Sequence, residues 1–398
     1  MSFDLKNKKN KYFVLIILAA LAIKFGLWGY AAVCAPEGKF QIDSSDYMRT
    51  AKMLAEHGVF ARGINQQGEF QYDYYRTPGY PLFLAVLNGI LRVPWNGIIF
   101  IQLLLTAGTA YLTYRTALLL DAKIAPLSGL IVLLDPPVTI FSLIIATETL
   151  FLFFMALFML VFVKYMKSYA FKLVLLSALI LVLAAYVRPI AYYLAPAMVL
   201  FFLYLLVRTR AKRVVVHIVL FIGVFAVLVG PWQVRNKRLF GSNKFSSIDN
   251  ATVKAVGLVG SYAKDREKIP PGQGPVGYYV RTTSHCLTEL MTRPGSLKYF
   301  GSVPLKVAGK IFGYPFVVFW VIGFLAGLAR MKGDPALHFL AYIVLYFICV
   351  TIMATILGEG SRFRVPMVPF IAILSAHGWV WLREKYSRNF SFPAGFKR

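Results

Sequence analysis

Long runs of apolar residues, separated by short polar segments, recur along the whole chain. A helix needs about 20 apolar residues to cross a hydrocarbon core of about 30 Å. Ten runs approach this length and predict ten membrane-spanning helices, at residues 12–34, 96–118, 124–142, 148–165, 171–187, 190–207, 213–230, 304–329, 335–357 and 364–382. An eleventh run, 79–91, has only 13 residues. That is the length of a re-entrant or interfacial helix, so we predict that it does not span the membrane.

The charges between the runs predict their orientation. With 79–91 outside the membrane and a cytoplasmic N-terminus, the cytoplasmic segments carry 20 Lys and Arg residues against four acids. If 79–91 did span, every later segment would change sides, and the basic segment RTRAKR at 208–213 would face outward. Because Lys and Arg accumulate in short cytoplasmic loops, the sequence favours cytoplasmic termini. Two long external segments follow from this orientation, at 35–95 and 231–303.

Composition excludes a soluble protein. Hydrophobic residues make up 58% of the chain and charged residues 15%, whereas soluble chains average roughly 45–50% and about 25%. A net charge of +26 would suit nucleic acid in a soluble protein, but here it reflects the basic cytoplasmic loops, so no nucleic-acid partner is expected. We predict an all-α polytopic protein surrounded by membrane lipids. We expect residues 1–398 to form a single transmembrane domain, without a soluble C-terminal domain.

The first external segment contains the pattern of a helix with an acid at its start. Asp43, Tyr47, Ala51 and Leu54 recur at spacings of four and three, which places them on one helical face. An aspartate just before Ser44 also suits the capping position of such a helix. The pattern leaves both roles open, a cap and a chemically active carboxylate.

Other polar groups lie on the same predicted rim of the membrane. Each is near the end of a predicted span: Glu148, Arg188, Trp232, Arg235, Asn236, Arg362 and Arg364. Singly, each could be a side chain that extends to the interface. Together they indicate a polar cavity, because ionisable groups at such depth usually line one.

Five motifs occur in series. The first joins a helix with the sequence IDSSDYMRTAKML to RTPGYP (76–81). The other four are TETL (147–150), VRP (187–189), PWQVRN (231–236) and SRFRVP (361–366). This series, from about residue 12 to 382, resembles the GT-C glycosyltransferases. The similarity is to the group with the protein O-mannosyltransferases and the lipid A aminoarabinose transferases. The chain departs from the latter at Arg76 and Thr77, where they have an acid and a lysine.

The resemblance implies an inverting glycosyltransferase with a GT-C-like bundle. It would move a sugar from a polyprenyl-phosphate donor to a hydroxyl of a lipid, glycan or protein, at the periplasmic face of a bacterial inner membrane. The carboxylate that takes the proton would be Asp43, with Asp46 and Glu148 as alternatives. The arginines that bind the donor phosphate would be Arg76, Arg188, Arg235, Arg362 and Arg364. The supporting side chains would be Tyr47, Tyr80, Trp232 and Asn236.

Two other functions stay open. A transporter or flippase for an anionic lipid-linked substrate would also need arginines in a membrane cavity, although we find no inverted repeat. A non-catalytic assembly subunit is the other. No cofactor and no metal site is predicted, while a divalent cation is left open. His285 and Glu289 have the i, i+4 spacing of metal ligands, but a solvated pair explains that spacing more simply.

Overall fold

The computed structural model describes residues 8–247, 274–295, 303–331, 333–354 and 360–389. Helices occupy most of these ranges. In chain order they are α1 (Lys8–Cys34), α2 (Ile42–His57), α3 (Gly79–Leu84), α4 (Trp95–Leu120), α5 (Ala125–Leu134), α6 (Pro136–Ser142), α7 (Glu148–Ser168), α8 (Phe171–Val187), α9 (Ile190–Thr209), α10 (Arg213–Phe240), α11 (Pro275–Thr292), α12 (Val303–Leu328), α13 (Pro335–Ala354), α14 (Gly360–Arg364) and α15 (Val368–Asn389). Short 3₁₀ turns precede α2 (Pro36–Lys39) and join α14 to α15 (Val365–Met367).

The ten predicted spans fall on these helices, apart from residues 355–357 of the ninth, which lie outside the described ranges. In the described ranges, eight continuous stretches are long and apolar enough to cross a membrane, and the bent pair α5–α6 makes a ninth. Helix α8 has 17 residues and is just short of this length. The protein is therefore a polytopic membrane protein and almost wholly α-helical, as the apolar pattern predicts.

The predicted span at 124–142 is bent rather than straight. Helices α5 and α6 meet at an angle of 54°, where the sequence reads LLDPPV. The Asp135 side chain accepts a hydrogen bond from the Val138 amide at 3.0 Å and caps α6. Proline cannot continue a helix from the preceding turn, so Pro136 begins a new one. The bend places α6 against the start of α7 and against α14.

The first external segment folds as α2, a hairpin and α3. Strands β1 (Ala61–Ile64) and β2 (Phe70–Tyr72) pair antiparallel. The apolar pattern does not predict these strands, because three or four residues are too few to reveal alternation. Helix α3 continues as a π-helical turn, Ala85–Ile90, and covers the predicted non-spanning segment. A Cβ on Gly79 would lie 2.7 Å from the Tyr186 carbonyl carbon, so only glycine lets α3 pack this closely on the end of α8.

Small residues bring α12 and α15 into direct backbone contact. Gly323 and Gly327 are four residues apart on α12 and face Gly378 on α15. A Cβ on Gly378 would lie 1.9 Å from the Gly323 carbonyl oxygen. Spacing of this kind allows close packing of helices in membranes. The contact holds α15, and with it α14, against the bundle.

Segments predicted to share the cytoplasmic side meet in the fold. Lys123 Nζ lies 2.6 Å from Glu384 Oε1, and Arg208 donates a hydrogen bond to the Gly333 carbonyl at 2.6 Å. Each contact joins two segments with the same predicted side. The helix ends are therefore grouped as predicted, and the side of the membrane on which they lie stays a prediction.

Cysteine labelling tests this orientation. In a background without Cys34, Cys286 and Cys349, a cysteine beside Lys212 should react with an impermeant maleimide only from the cytoplasmic side. A cysteine beside Gly274 should react only from outside, because basic residues favour the cytoplasm. Labelling of intact cells and of inverted vesicles measures both, and the reverse pattern would contradict the topology.

Candidate functional site

Asp43 lies in the first turn of α2 but does not cap it. The helix begins at Ile42, and Gln41 and Ser44 form the capping box. The Gln41 amide donates to Ser44 Oγ at 2.9 Å, and Ser44 Oγ donates to the Ile145 carbonyl at 2.7 Å. The capping interpretation of Asp43 is therefore wrong, and its carboxylate is free to contact groups outside the helix.

Two arginines bind the Asp43 carboxylate, one at each oxygen. Arg76 Nη2 lies 2.7 Å from Asp43 Oδ1, and Arg362 Nη2 lies 2.8 Å from Asp43 Oδ2. Arg362 also donates from Nε to Glu148 Oε1 at 2.5 Å. Nε and Nη2 form one edge of the guanidinium plane, so a single edge of Arg362 joins two carboxylates. Residues 319 positions apart in the sequence thereby meet.

Arg188 is the third arginine at this point. Its Nη1 lies 2.9 Å from Glu148 Oε1, whose side chain is fully buried. Arg188 Nη1 is not aligned for a hydrogen bond, and in the described part of the chain neither it nor Arg76 Nε has a hydrogen-bond partner. Buried N–H groups without acceptors are costly. Both nitrogens could therefore bind an anion.

Two buried tyrosines form the wall beside Arg76. Arg76 Nη1 donates to the Tyr47 hydroxyl at 3.2 Å, and its Nη2 reaches Asp46 Oδ2 at 3.2 Å. The Tyr80 hydroxyl donates to Gln102 Oε1 at 2.9 Å, and the Tyr47 and Tyr80 rings meet edge to face. These contacts fix the direction of the Arg76 guanidinium toward α2.

We call these six ionic side chains the ion-pair cluster: Asp43, Asp46, Glu148, Arg76, Arg188 and Arg362. Its formal charges sum to zero. Burial by itself would raise the pKa of the Asp43 carboxyl, but the charges of Arg362 and Arg76 outweigh burial and lower that pKa from 3.8 to about 2. Asp43 is therefore ionised at neutral pH.

Arg235, Trp232 and Asn236 form a separate group on α10. Arg235 donates to the carbonyls of Phe60 at 3.1 Å and Asp73 at 3.0 Å, at the two ends of the hairpin. Its guanidinium stacks on Trp232 at 4.5 Å, and Asn236 donates to nearby backbone carbonyls. Arg235 and Trp232, whose ring packs on Phe60, hold the first external segment against α10, while Asn236 holds the residues that follow α10.

Arg364 also lies apart from the cluster. Its side chain is fully buried, and Nη1 donates to the Leu290 carbonyl of α11 at 2.8 Å. The guanidinium lies 5.3 Å from the Trp320 ring centre. Residues two positions apart do not share a helix face. Arg362 and Arg364 therefore point to different neighbours although they stand in one motif.

An open apolar groove lies beside the ion-pair cluster, and Arg235 is the charged residue in its lining. It has a volume of about 870 Å³ and lies between α2, α3, α7, α8 and α10. Its lining includes Leu150 of α7 and Val187 of α8. These two residues are close in sequence to Glu148 and Arg188, so the groove lies beside the start of α7 and the end of α8. Sequence reasoning missed the groove, because its apolar lining comes from five helices and resembles ordinary lipid-facing positions.

Two further charged side chains do not join the cluster. Lys24, inside α1, is buried and donates to Thr139 Oγ1 at 2.5 Å. Glu289 pairs with Arg293, one turn later. Among the residues that the structure describes, no three His, Cys, Asp or Glu side chains are arranged to hold a metal ion.

No protein-family model matches the chain, and no curated protein matches its sequence. Solved structures do match. ArnT from Cupriavidus metallidurans, bound to undecaprenyl phosphate, has a TM-score of 0.58 at 12% identity, over 95% of this chain and 62% of ArnT. The archaeal oligosaccharyltransferase AglB from Archaeoglobus fulgidus, in complex with an inhibitory peptide and a dolichol-phosphate, has a TM-score of 0.59 at 11% identity. The chain has the GT-C fold.

The GT-C likeness covers nearly all of this chain but only part of the longer proteins. It covers 98% of this chain and 53% of AglB, so the chain spans about three fifths of ArnT and half of AglB. The apo form of ArnT gives a TM-score of 0.54 at 14% identity. The predicted GT-C-like bundle is confirmed.

Proposed function

We propose that this protein is a glycosyltransferase that moves a sugar from a polyprenyl-phosphate donor to an acceptor hydroxyl. One observation carries the proposal: an apolar groove lies along α7 and α8, and three arginines and two carboxylates meet where α7 begins and α8 ends. A lipid phosphate has the same two parts, an apolar chain and an anionic head. The lipid phosphates bound to ArnT and AglB, which share the fold, support this choice.

In this proposal the donor phosphate binds at Arg188 and Arg362, with Arg76 beside them, and the lipid tail follows the groove. The donor is a phosphodiester with one negative charge, and the phosphate monoester that leaves gains a second. Arginines fixed beside it bind the transition state more strongly than the ground state, which accelerates the reaction. Arginine suits this role because its planar fork can bond two phosphate oxygens and remains charged.

The chemical step is a single displacement at the anomeric carbon. The acceptor oxygen forms a bond to that carbon as the bond from the carbon to the phosphate oxygen breaks. The electron pair of the broken bond stays on the phosphate. The acceptor proton passes to Asp43, and the configuration at the anomeric carbon inverts. We place the reaction at the external, periplasmic rim of the bundle, where the charge pattern orients the ion-pair cluster.

Asp43 becomes a useful base when its arginine partners are shared with the donor phosphate. A carboxylate with a pKa of about 2 accepts a proton poorly at neutral pH. When a donor phosphate takes up Arg362 and part of Arg76, the two charges that lower the Asp43 pKa are shared with the phosphate. The pKa then rises, and Asp43 accepts the proton more readily. Donor binding thus activates the base.

Donor turnover by the purified protein tests the proposal. In detergent, with a panel of polyprenyl-phosphate hexoses and pentoses and candidate acceptors, we expect release of the polyprenyl phosphate and a glycosylated product of inverted configuration. Mass spectrometry and NMR would measure both. In vesicles, movement of the intact lipid-linked sugar without cleavage would contradict the transferase and support a flippase.

A further inference from the structure

Helix α14 is too short to hold its own position. It has five residues, Gly360–Arg364, and carries Arg362 in its middle. Helices of this length are unstable alone in water, so tertiary contacts must fix it. Gly360 packs directly on the end of α11, because a Cβ there would lie 2.8 Å from the Glu289 carbonyl carbon.

Arg364 is the second fixed point of α14. The last four carbonyls of a helix have no partner within it. At the end of α11, the Arg293 amide donates a hydrogen bond to the Glu289 carbonyl at 3.2 Å. Arg364 Nη1 donates one to the Leu290 carbonyl at 2.8 Å. A cation at this end also interacts favourably with the helix dipole. A fully buried arginine therefore caps the helix that closes the second external segment.

The same guanidinium links α14 to the bend between α5 and α6. Its charge interacts with the buried carboxylate of Asp135, which caps α6. Helix α6 contacts α7, and Glu148 is the first residue of α7. Arg364 thus contacts α11 directly and interacts with the α5–α6 bend through its charge, while α14 itself packs on α6.

We propose that Arg364 is a positioning residue, which acts through Arg362 and makes the placement of Arg362 depend on α11. The inference rests on the proposed function. One edge of the Arg362 guanidinium reaches both Asp43 and Glu148, and it does so only while Gly360 and Arg364 hold α14 in place. Anything that displaces α11, such as an acceptor bound against this helix, would shift Arg362 relative to the two carboxylates.

Arg364→Met tests the proposal, with Arg208→Met as the matched control, since Arg208 also donates to a backbone carbonyl but at the opposite side of the bundle. We expect Arg364→Met to lower kcat by about 10- to 100-fold, as small misplacements do, with a KM for the donor within about twofold of the wild type. In an Arg362→Ala background the same change should have no further effect. Arg208→Met should behave as the wild type.

The pH profile separates positioning from loss of folded protein. Asp43 is faced by the following charged and titratable groups: Arg76, Asp46 and Tyr47 from the first external segment, Glu148 from α7, Arg188 before α9, and Arg362 from α14. With Arg362 displaced, the Asp43 carboxyl loses one of the two arginine charges that lower its pKa, so this pKa rises. The loss of activity on the acid side should therefore begin at a higher pH in Arg364→Met than in the wild type.

Three results would overturn the positioning role: unchanged kcat, an unchanged pH profile, or full additivity of the loss with Arg362→Ala. If Arg364→Met does not fold, Gly360→Ala perturbs the same contact and should give the same shifts in kcat and pH. Hydrogen exchange of the peptide at 360–364 gives a readout without donor. Faster exchange in Arg364→Met than in Arg208→Met would support the positioning role even if the purified protein turned over no donor.

Discussion

Replacement of Asp43 by asparagine is expected to lower sugar transfer by about 10²- to 10⁴-fold, the usual contribution of a general base. Asparagine has nearly the same shape but cannot accept the proton. Gln41 and Ser44 cap α2, so the start of the helix should be unaffected. The site would carry one more net positive charge, so the phosphate of the donor should still bind. Product formation and donor affinity, measured on the same preparation, check both expectations.

Asp46→Asn is the matched control for this variant. Asp46 stands on the same helix, has the same 27% exposure of its side chain, and pairs with Arg76 but not with Arg362. We expect less than a tenfold loss. Normal turnover in Asp43→Asn with a large loss in Asp46→Asn would assign the base to Asp46.

The lowered pKa of Asp43 also predicts how the stability of the fold depends on pH. The ion pairs of Asp43 stabilise the folded protein above about pH 3.8, and this stabilisation is lost as the pH falls toward 2.

Arg362→Ala should lower kcat/KM for the donor by about 10²- to 10³-fold, as expected for loss of a charged group that stabilises the leaving phosphate. Lysine should restore only part of the activity. Its single ammonium group lacks the planar edge with which the Arg362 guanidinium can contact Asp43, Glu148 and a phosphate. Kinetics with donor and acceptor varied in turn would measure the loss. Wild-type kinetics in the alanine variant would remove Arg362 from the donor site.

A double variant separates chemistry from stability at this position. Removal of Arg362 leaves the charge of the fully buried Glu148 paired with Arg188 alone. A buried charge that loses a partner destabilises the folded protein. Arg362→Met with Glu148→Gln removes both partners and should melt at a higher temperature than Arg362→Met alone. Its transfer activity should nevertheless stay low. Recovery of activity together with stability would mean that Arg362 has only a structural role.

The spans could be predicted from sequence because the bilayer sets their length, whatever their neighbours are. The bend at Asp135 was missed although two prolines mark it, because the apolar run continues through it. The hairpin was missed because its strands are too short to show a period. The placement of 79–91 outside the spans depended on charge, and a helix of matching length stands there.

The candidate site was predictable as a set of residues but not as an arrangement. The motifs pointed to Asp43, Glu148 and Arg362, which meet in space. They could not distinguish Arg362 from Arg364, because side-chain direction on a five-residue helix depends on what that helix packs against. Arg235 belongs to the same motif series, yet it holds backbone carbonyls of the hairpin.

The ion-pair cluster by itself carries no net charge, since three acids face three arginines. A bound donor would bring the total to minus one, and transfer would not change it, because the proton on Asp43 offsets the new charge on the phosphate. Once that proton passes to water, the restored carboxylate competes with the phosphate for Arg76 and Arg362. Deprotonation would then expel the spent carrier lipid, so proton release and recycling of the carrier would be a single coupled event.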